Sequence, residues 1–393
     1  MRGTLQKLST TAASFAFNLT RNSIIPRCGA VLISGPEKHS GKYLSTLYVG
    51  AGRNFEFLIN RLFVGADIVE KDQTINPIAG LVLCRQAETD VDLIIIDLDL
   101  PYSLLYSSRA YLRVPQWVKQ QLVLPPSKRT FIDSLPRKLR REISRCIRKY
   151  HYTYDLVDTK EQFKYFYHRF YAPFIRSRFS NESVVVSEAF FLSQCRLGLI
   201  LRLLRDGQPV AGAVLQLEKA QLSSVWVGFA TTNVAKSGTG WSDVLDYFTI
   251  DYAFSKGYRT IDFGPSRPLL DDGVFRYKRK WGTSVHTSKL PTGDILFHSV
   301  KLNTPVRSVM ENNFWITRDG GKLAGHLMVD GQAIGEREFQ KIMRNCGAGI
   351  DVIKVKSFRS FDPAINQAAE GVEGIQLIDL SKSPHLIRDL TAL

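Results

Sequence analysis

The order of apolar segments between residues 199 and 298 constrains the fold of this chain more than any other feature of its sequence. Three strand-like runs joined by short turns come first: Leu199 to Leu204, Val210 to Leu217 and Leu222 to Phe229. Short turns between such runs predict antiparallel pairing. A long amphipathic helix is predicted from Gly240 to Ser255, because Gly257 follows it and glycine commonly ends helices.

The elements that follow this helix decide the fold class. They are a short strand at Tyr258 to Phe263, a basic helix at Val274 to Lys280, and two strands at Thr283 to Leu290 and Ile295 to His298. Three antiparallel strands followed by helix, strand, helix and two strands do not make a doubly wound parallel sheet. We therefore predict an α/β (α+β) fold, a mixed-sheet sandwich.

The rest of the chain is divided by composition. Residues 28–125 alternate short apolar runs with polar breaks, which predicts an α+β layer, and Pro125-Pro126-Ser127 marks its end. Residues 126–300 then form the next predicted domain, and residues 301–393 form an extension without an assigned role. Residues 1–27 contain no acidic residue. This predicts a flexible or membrane-touching N-terminus, with an organelle transit peptide as the alternative.

A helix rich in arginine follows the Pro-Pro boundary. Its start is signalled by Ser134 and Pro136. The residues of its predicted buried stripe recur every four positions: Leu135, Leu139, Ile143 and Ile147. A second face carries arginines at the same helical spacing: Arg137, Arg141, Arg145 and Arg148. Because a merely solvated face usually mixes signs, we predict that Arg137, Arg141 and Arg145 bind an anion such as CoA phosphates, a nucleotide-linked sugar, tRNA or lipid headgroups.

Overall composition supports an anionic partner and bears on the cellular compartment, on membrane insertion and on metal binding. The chain has 52 Lys and Arg against 37 Asp and Glu, a formal charge of +15. Its five scattered cysteines include no C-x-x-C pair, which predicts a reducing compartment, no disulfide framework and no metal site. No apolar run approaches the roughly 20 residues that span a bilayer. We expect a cytoplasmic protein, with peripheral contact to an anionic membrane as the alternative, and no sequence-specific DNA binding.

Two adjacent motifs connect the chain to a known superfamily. One is Gly257-Tyr-Arg-Thr-Ile-Asp-Phe-Gly264, and the other runs from Asp271-Asp-Gly to Tyr277-Lys-Arg-Lys-Trp-Gly282. With the order of elements described above, residues 90–300 resemble the GNAT superfamily and, within it, the branch of Fem-type aminoacyltransferases. The resemblance implies an acyltransferase built from two tandem GNAT-like layers. Residues 28–125 would be a degenerate first layer and residues 126–300 the catalytic one.

The resemblance also suggests where a donor binds. GNAT enzymes that use acetyl-CoA usually carry Arg/Gln-x-x-Gly-x-Gly/Ala before the long helix, whose N–H groups hold the pyrophosphate. The stretch here is Ala235-Lys-Ser-Gly-Thr-Gly240, so both glycines match but the leading basic position is Ala235. Lys236 can substitute, which implies a site for acetyl-CoA or another acyl-CoA at Lys236, Ser237, Gly238 and Gly240. Fem-type relatives use aminoacyl-tRNA instead, and the arginine face could serve that donor.

Acyl transfer to an amine needs a group that positions or deprotonates the acceptor and a group that stabilises the carbonyl oxygen. Asp262 is the candidate for the first task because it lies near the end of a predicted central strand. The alternative is that Asp262 only caps the turn at Gly264 and Pro265. Tyr277 and Lys278 are candidates for the second task, with a solvated basic face as the alternative.

Two further residues near that helix are predicted to bind substrate. One residue of the Asp271-Asp272 pair is expected to cap the next helix, and Asp272 is kept as a second carboxylate. Arg276 is the second residue predicted to bind substrate.

The combined hypothesis is an enzyme that moves an acetyl, longer acyl or aminoacyl group to an amine, either a small molecule or a glycan. Cell-envelope or polysaccharide modification is the context that the resemblance implies. The competing hypothesis is a non-catalytic GNAT-like module that binds an anionic polymer or a membrane through the arginine-rich helix.

Overall fold

The computed structural model describes residues 28–99, 102–106, 112–179, 185–195, 198–230, 239–287, 293–331, 335, 337, 339–340, 348–370 and 372–382. The chain divides into two compact units. The first unit consists of Met1–Val118, Arg267–Arg276 and Thr287–Leu393, and the second of Lys119–Ser266 and Tyr277–His286. This division differs from predicted boundaries near residues 125 and 300, because segments distant in sequence join the same sheet.

Seventeen strands lie in the described part of the chain: β1 (Cys28–Pro36), β2 (Tyr43–Gly50), β3 (Asp67–Ile75), β4 (Leu93–Leu98), β5 (Leu112–Pro115), β6 (Val118–Val123), β7 (Tyr152–Val157), β8 (Gly198–Arg205), β9 (Gln208–Leu217), β10 (Gln221–Phe229), β11 (Thr260–Ser266), β12 (Ser284–Thr287), β13 (Asp294–Ser299), β14 (Trp315–Asp319), β15 (Lys322–Met328), β16 (Val352–Ser357) and β17 (Ile375–Asp379). The first unit has a six-stranded sheet, β3-β1-β2-β4-β13-β5, and a four-stranded sheet, β14-β15-β16-β17. The second unit has a seven-stranded sheet, β12-β6-β11-β10-β9-β8-β7.

The α-helices with described bounds are Phe55–Leu62, Pro77–Ala87, Lys128–Ser134, Arg137–Tyr150, Lys160–Phe166, Ala172–Phe179, Glu188–Gln194, Trp241–Ser255, Gly273–Arg279, Thr304–Glu311 and Pro363–Ala369. A π-helical turn spans Tyr167–Tyr171, and short 3₁₀ turns span Tyr102–Leu105 and Leu380–Lys382. We call Arg137–Tyr150 the arginine helix, Trp241–Ser255 the central helix and Gly273–Arg279 the short basic helix. Within this part of the chain, no helix is long and apolar enough to cross a membrane.

The predicted α/β fold with mixed sheets is confirmed. Strands β8, β9 and β10 pair antiparallel, and β10 then pairs with β11 in parallel after the central helix. The two last predicted strands, however, lie in different sheets. β12 is at the edge of the seven-stranded sheet, whereas β13 is inserted between β4 and β5. Every residue of β13 is buried, as expected for a strand inside a sheet rather than at its edge.

The arginine helix buries the stripe that the sequence predicted. Ile143 and Cys146 are almost fully buried in a core that includes Val244 and Leu245 of the central helix, and Leu139 and Ile147 pack at its margin. Cys146, at 0% exposure, was not part of the predicted stripe. Burial of this face stabilises the helix despite its dense positive charge, because most helical stability in proteins comes from packing.

A second core lies on the opposite face of the seven-stranded sheet. It is built from aromatic residues of the π-helical turn and its neighbours, such as Phe170, Tyr171 and Phe191, packed on Ile200 and Val214. The backbone of the turn approaches β10 closely. A Cβ atom added at Gly228 would lie 2.7 Å from the amide nitrogen of Tyr171, so only glycine fits there.

Candidate active site

Strands β10 and β11 separate partway along their length. Their parallel pairing covers only Gln221 with Thr260, Leu222 with Ile261 and Ser223 with Asp262. Beyond that point β10 continues to Phe229 and β11 to Ser266. On its other side β10 stays paired with β9, where a bulge shifts the register between Ser224 and Trp226. A gap therefore opens between two central strands, and the facing main-chain edges do not pair with each other.

The burial of β10 supports an open gap. Residues 223–227 are all partly exposed, although β10 lies in the interior of the sheet. A strand covered on one or both faces would show alternating or continuous burial. Accessibility at five consecutive positions indicates that the space beside this strand is open.

The central helix begins beside the arginine helix and β7, where the hydroxyl of Tyr152 donates a hydrogen bond of 3.2 Å to the carbonyl oxygen of Thr239. Its N-cap is Gly240, whose φ of +68° is a left-handed conformation that glycine adopts without strain. A Cβ atom at Gly240 would lie 2.7 Å from Sγ of Cys146, so a larger residue would clash with the arginine helix. The first N–H groups of a helix lack partners within it and attract anions. The other predicted donor-binding residues, Lys236, Ser237 and Gly238, lie outside the described residues.

Asp262 is the last β11 residue paired with β10, at the point where the gap opens. One of its carboxylate oxygens is 2.6 Å from Nζ of Lys119, and the other accepts a hydrogen bond of 2.9 Å from the N–H of Gly264. The local turn contact that the sequence offered as the alternative role is therefore present. With both oxygens engaged, the carboxylate is better suited to orient a substrate than to remove its proton.

Lys278 holds the C-terminal end of β11. Its ammonium donates to the carbonyl oxygens of Gly264 (3.1 Å) and Pro265 (2.7 Å), and the residue is only 9% exposed. These contacts bring Lys278 to one wall of the gap and make it a fixed part of that wall. A solvated basic face, the alternative considered from sequence, does not describe this residue.

Tyr277 forms a polar cluster with the central helix. Its hydroxyl donates to Asp246 over 2.6 Å, and Lys280 lies over its ring, 3.9 Å from the centroid. Lys280 also pairs with Asp243. Burial raises the pKa of Asp246 to about 6 despite the hydrogen bond from Tyr277, and raises the pKa of Tyr277 well above its ordinary value. The Tyr277 proton is thus already committed to a neighbouring carboxylate.

Asp272 and Arg276 belong to the first unit and lie on or beside the short basic helix. The carboxylate of Asp272 accepts a hydrogen bond of 2.8 Å from the N–H of Phe275, which is a helix-capping contact. Asp271 instead pairs with Arg61. The structure therefore gives the capping role to Asp272, the residue kept as a second carboxylate. Arg276 is exposed.

The predicted anion-binding face of the arginine helix is accessible. Arg137, Arg141 and Arg145 are all exposed. The guanidinium of Arg145 donates hydrogen bonds to the carboxylate of Glu142 on the same helix and forms an ion pair with it. Among the described residues we find no ion pair to Arg137 or Arg141.

Sequence reasoning missed Lys119 and Asp246. Lys119 lies in Val118-Lys-Gln-Gln-Leu-Val123, whose alternating burial is typical of any half-covered strand, so nothing distinguished it. Asp246 lies in a helix with buried neighbours, and an acidic residue at such a position was the available signal. In the described ranges no group of three or more His, Cys, Asp or Glu residues is placed to hold a metal ion.

Comparison with known protein families finds one match, to the segment that contains the gap. Residues 134–279 match the family model described as an acetyltransferase (GNAT) domain. This segment includes the gap, the arginine helix, the central helix and the short basic helix. The resemblance drawn from the motifs around Asp262 and Tyr277 is thereby confirmed for this segment. No curated protein matches the chain.

Several solved structures resemble the chain over much of their length. FemX is 12% identical with a TM-score of 0.37, covering 76% of this chain and 93% of that one. L-PGS from Bacillus licheniformis is 13% identical with a TM-score of 0.34, covering 69% and 85%. A tandem GNAT protein from the clavulanic acid biosynthesis pathway is 10% identical with a TM-score of 0.29, covering 68% and 82%.

Proposed function

We propose that this protein transfers an acyl group from acyl-CoA to an amine. The observation that carries the proposal is the gap between β10 and β11 beyond Ser223 and Asp262, inside a segment that matches a GNAT acetyltransferase domain. A thioester lying in such a gap is held by main-chain groups on the free edges of both strands. In the reaction the amine nitrogen bonds to the carbonyl carbon, the C–S bond breaks, and the nitrogen's proton ends on the CoA sulfur.

The surrounding residues suit this chemistry. The helix N-terminus at Gly240 offers N–H groups to the phosphates of the donor. Lys278 fixes the carbonyl groups of Gly264 and Pro265, so the wall formed by β11 keeps its shape when the donor enters. Preformed geometry lowers the barrier because the reactants are aligned before the reaction begins.

Aminoacyl-tRNA is the alternative donor within the same proposal. It is supported by the Fem-type motifs around Asp262 and by the exposed arginines. The acceptor is a small molecule or a glycan amine, and modification of the cell envelope or of a polysaccharide is the proposed setting.

A thermal-shift titration tests the donor. A ligand that binds only the folded state raises the melting temperature in proportion to the logarithm of its excess over Kd. We expect acetyl-CoA and CoA to give saturable shifts, and adenosine or free acetate to give none. If neither CoA ligand shifts the transition, transfer from charged tRNA should be measured, and failure there as well would contradict an acyl-transfer function.

The arginine helix supports a second candidate function, a non-catalytic module that binds a polyanion. Three exposed cations, Arg137, Lys138 and Arg141, lie on its surface, and the apolar stripe that could enter a membrane is buried in the core. This candidate predicts binding of RNA that weakens steeply with salt. Reversing charge at Arg137 and Arg141 should abolish it, whereas reversal at the exposed Lys322 of the first unit should not.

A further inference from the structure

An ion pair between Lys119 and Asp262 lies where the gap opens. Lys119 and Asp262 are joined at 2.6 Å, and their side chains keep 19% and 15% of their exposure. The pair therefore touches solvent at the residue where β10 and β11 separate. Both residues belong to the second unit.

The first unit contains a carboxylate at a corresponding position. Asp97 is the last residue of β4 paired in parallel with β2, opposite Gly50. It is fully buried and accepts hydrogen bonds from three neutral side chains: Tyr48 (2.8 Å), Asn54 (2.9 Å) and Gln116 (2.8 Å). At Asp97 the carboxylate is thus held by neutral donors and is shielded from water. A charged partner in contact with water at Asp262 is better suited to recognise a ligand.

An aromatic surface continues from the ion pair along the same face of the sheet. Ser223, beside Asp262, pairs with Gln216 of β9, and Trp226 pairs with Val214. Residues two apart on a strand share a face, so the bulge in β10 brings Trp226 to the same face as Ser223, about 7 Å further along. Trp226 is partly exposed and packs against Phe191, with ring centroids 4.8 Å apart.

We propose that the acceptor is an α-amino acid with an apolar side chain. Its ammonium group would lie at Asp262, its carboxylate at Lys119, and its side chain toward Trp226. The inference rests on the proposed acyl-CoA-dependent function. Because the pair reaches solvent, a zwitterion can exchange it for two intermolecular pairs that leave neither charge without a partner.

The reaction written for this acceptor is balanced. The ammonium group first loses one proton to water. The neutral nitrogen then bonds to the thioester carbon, the C–S bond breaks, and the second proton passes from nitrogen to the CoA sulfur. The products are an N-acyl amino acid and CoA.

Release of CoA thiol from acetyl-CoA, measured with a panel of acceptors and the full-length protein, tests this inference. We expect L-phenylalanine to exceed both phenethylamine, which lacks the carboxylate, and L-phenylalaninamide by about tenfold or more in kcat/KM, because a site built for a charged group rejects analogues without it. Lys119→Gln should remove this preference by lowering kcat/KM for phenylalanine about tenfold more than it lowers kcat/KM for phenethylamine. Gln121→Ala, two residues along β6, is the matched control and should retain the preference.

The outcomes separate the inference from the function on which it rests. Equal rates with phenylalanine and phenethylamine, or an equal loss for both in Lys119→Gln, would overturn the amino-acid acceptor and leave acyl transfer standing. If acetyl-CoA gives no thermal shift and no amine releases CoA, the proposed function fails and the inference with it. Lys119→Arg retains the charge, so it should keep the preference and answers the question if Lys119→Gln does not fold.

Discussion

The two units each contain a pair of parallel strands ending beside an aspartate, and the two pairs differ in how far they stay together. β2 and β4 are paired over five residues, from Thr46 with Leu93 to Gly50 with Asp97. β10 and β11 are paired over three, after which they separate. The same local arrangement is thus closed in the first unit and open in the second.

The difference shows what an open pair requires. All residues of β4 are buried, including Asp97, so the closed pair is part of a core. In the open pair, residues 223–227 of β10 remain partly exposed, and the pairing with β11 ends at Ser223 and Asp262. Backbone groups left in this way need water or a ligand as partners. Selection for packing alone would close the gap, as in the first unit.

The largest loss of stability is expected from a substitution that forces β2 and β4 apart. A Cβ atom at Gly50 would lie 2.6 Å from the carbonyl oxygen of Asp97, so Gly50→Val should lower the free energy of unfolding by about 4 kcal/mol. Gly273→Ala is the control because nothing lies within 4 Å of the added atom. Urea denaturation measures both. Equal stability of the two variants would show that the close approach is not constrained.

Replacement by alanine should mainly lower stability at Asp97 and mainly lower turnover at Asp262. Asp97→Ala leaves three buried donors without their acceptor and should cost about 3 kcal/mol of stability. Asp262→Ala leaves Lys119, which still reaches water, without its partner and should cost less stability than Asp97→Ala, while turnover falls about tenfold or more. Denaturation and CoA release, measured on both variants, give the comparison. Near-normal turnover in Asp262→Ala would remove this residue from the mechanism.

Asp246, on the central helix of the second unit, is expected to make stability depend on pH. Burial raises the pKa of Asp246 from 3.8 to about 6, so the folded protein binds this proton more tightly than the unfolded chain does. Stability from this group is therefore greatest below pH 4 and falls as pH rises to about 6, by roughly 2–3 kcal/mol. Asp246→Asn should remove this decline, seen as melting temperatures across pH 4 to 7. An unchanged slope would show that another group titrates there.

Sequence patterns predicted the local elements well and their pairing less well. The strands from Leu199 to Phe229 and the central helix lie within a few residues of their predicted bounds, since alternation and glycine punctuation are local signals. β13 joined a different sheet from β12 because strand pairing depends on contacts distant in sequence. Asp262 was found from its motif. Its partner Lys119, more than 100 residues earlier, had no local signal.

The close contact at Gly228 has a consequence for engineering the protein. Because this glycine sets the spacing between the sheet and the π-helical turn, a library meant to change acceptor preference should leave it untouched. Trp226, two residues earlier on the same face, is partly exposed, and its ring packs against Phe191 and against Tyr171 of the turn. Aromatic substitutions at Trp226 therefore change the exposed surface while they keep a ring against the turn.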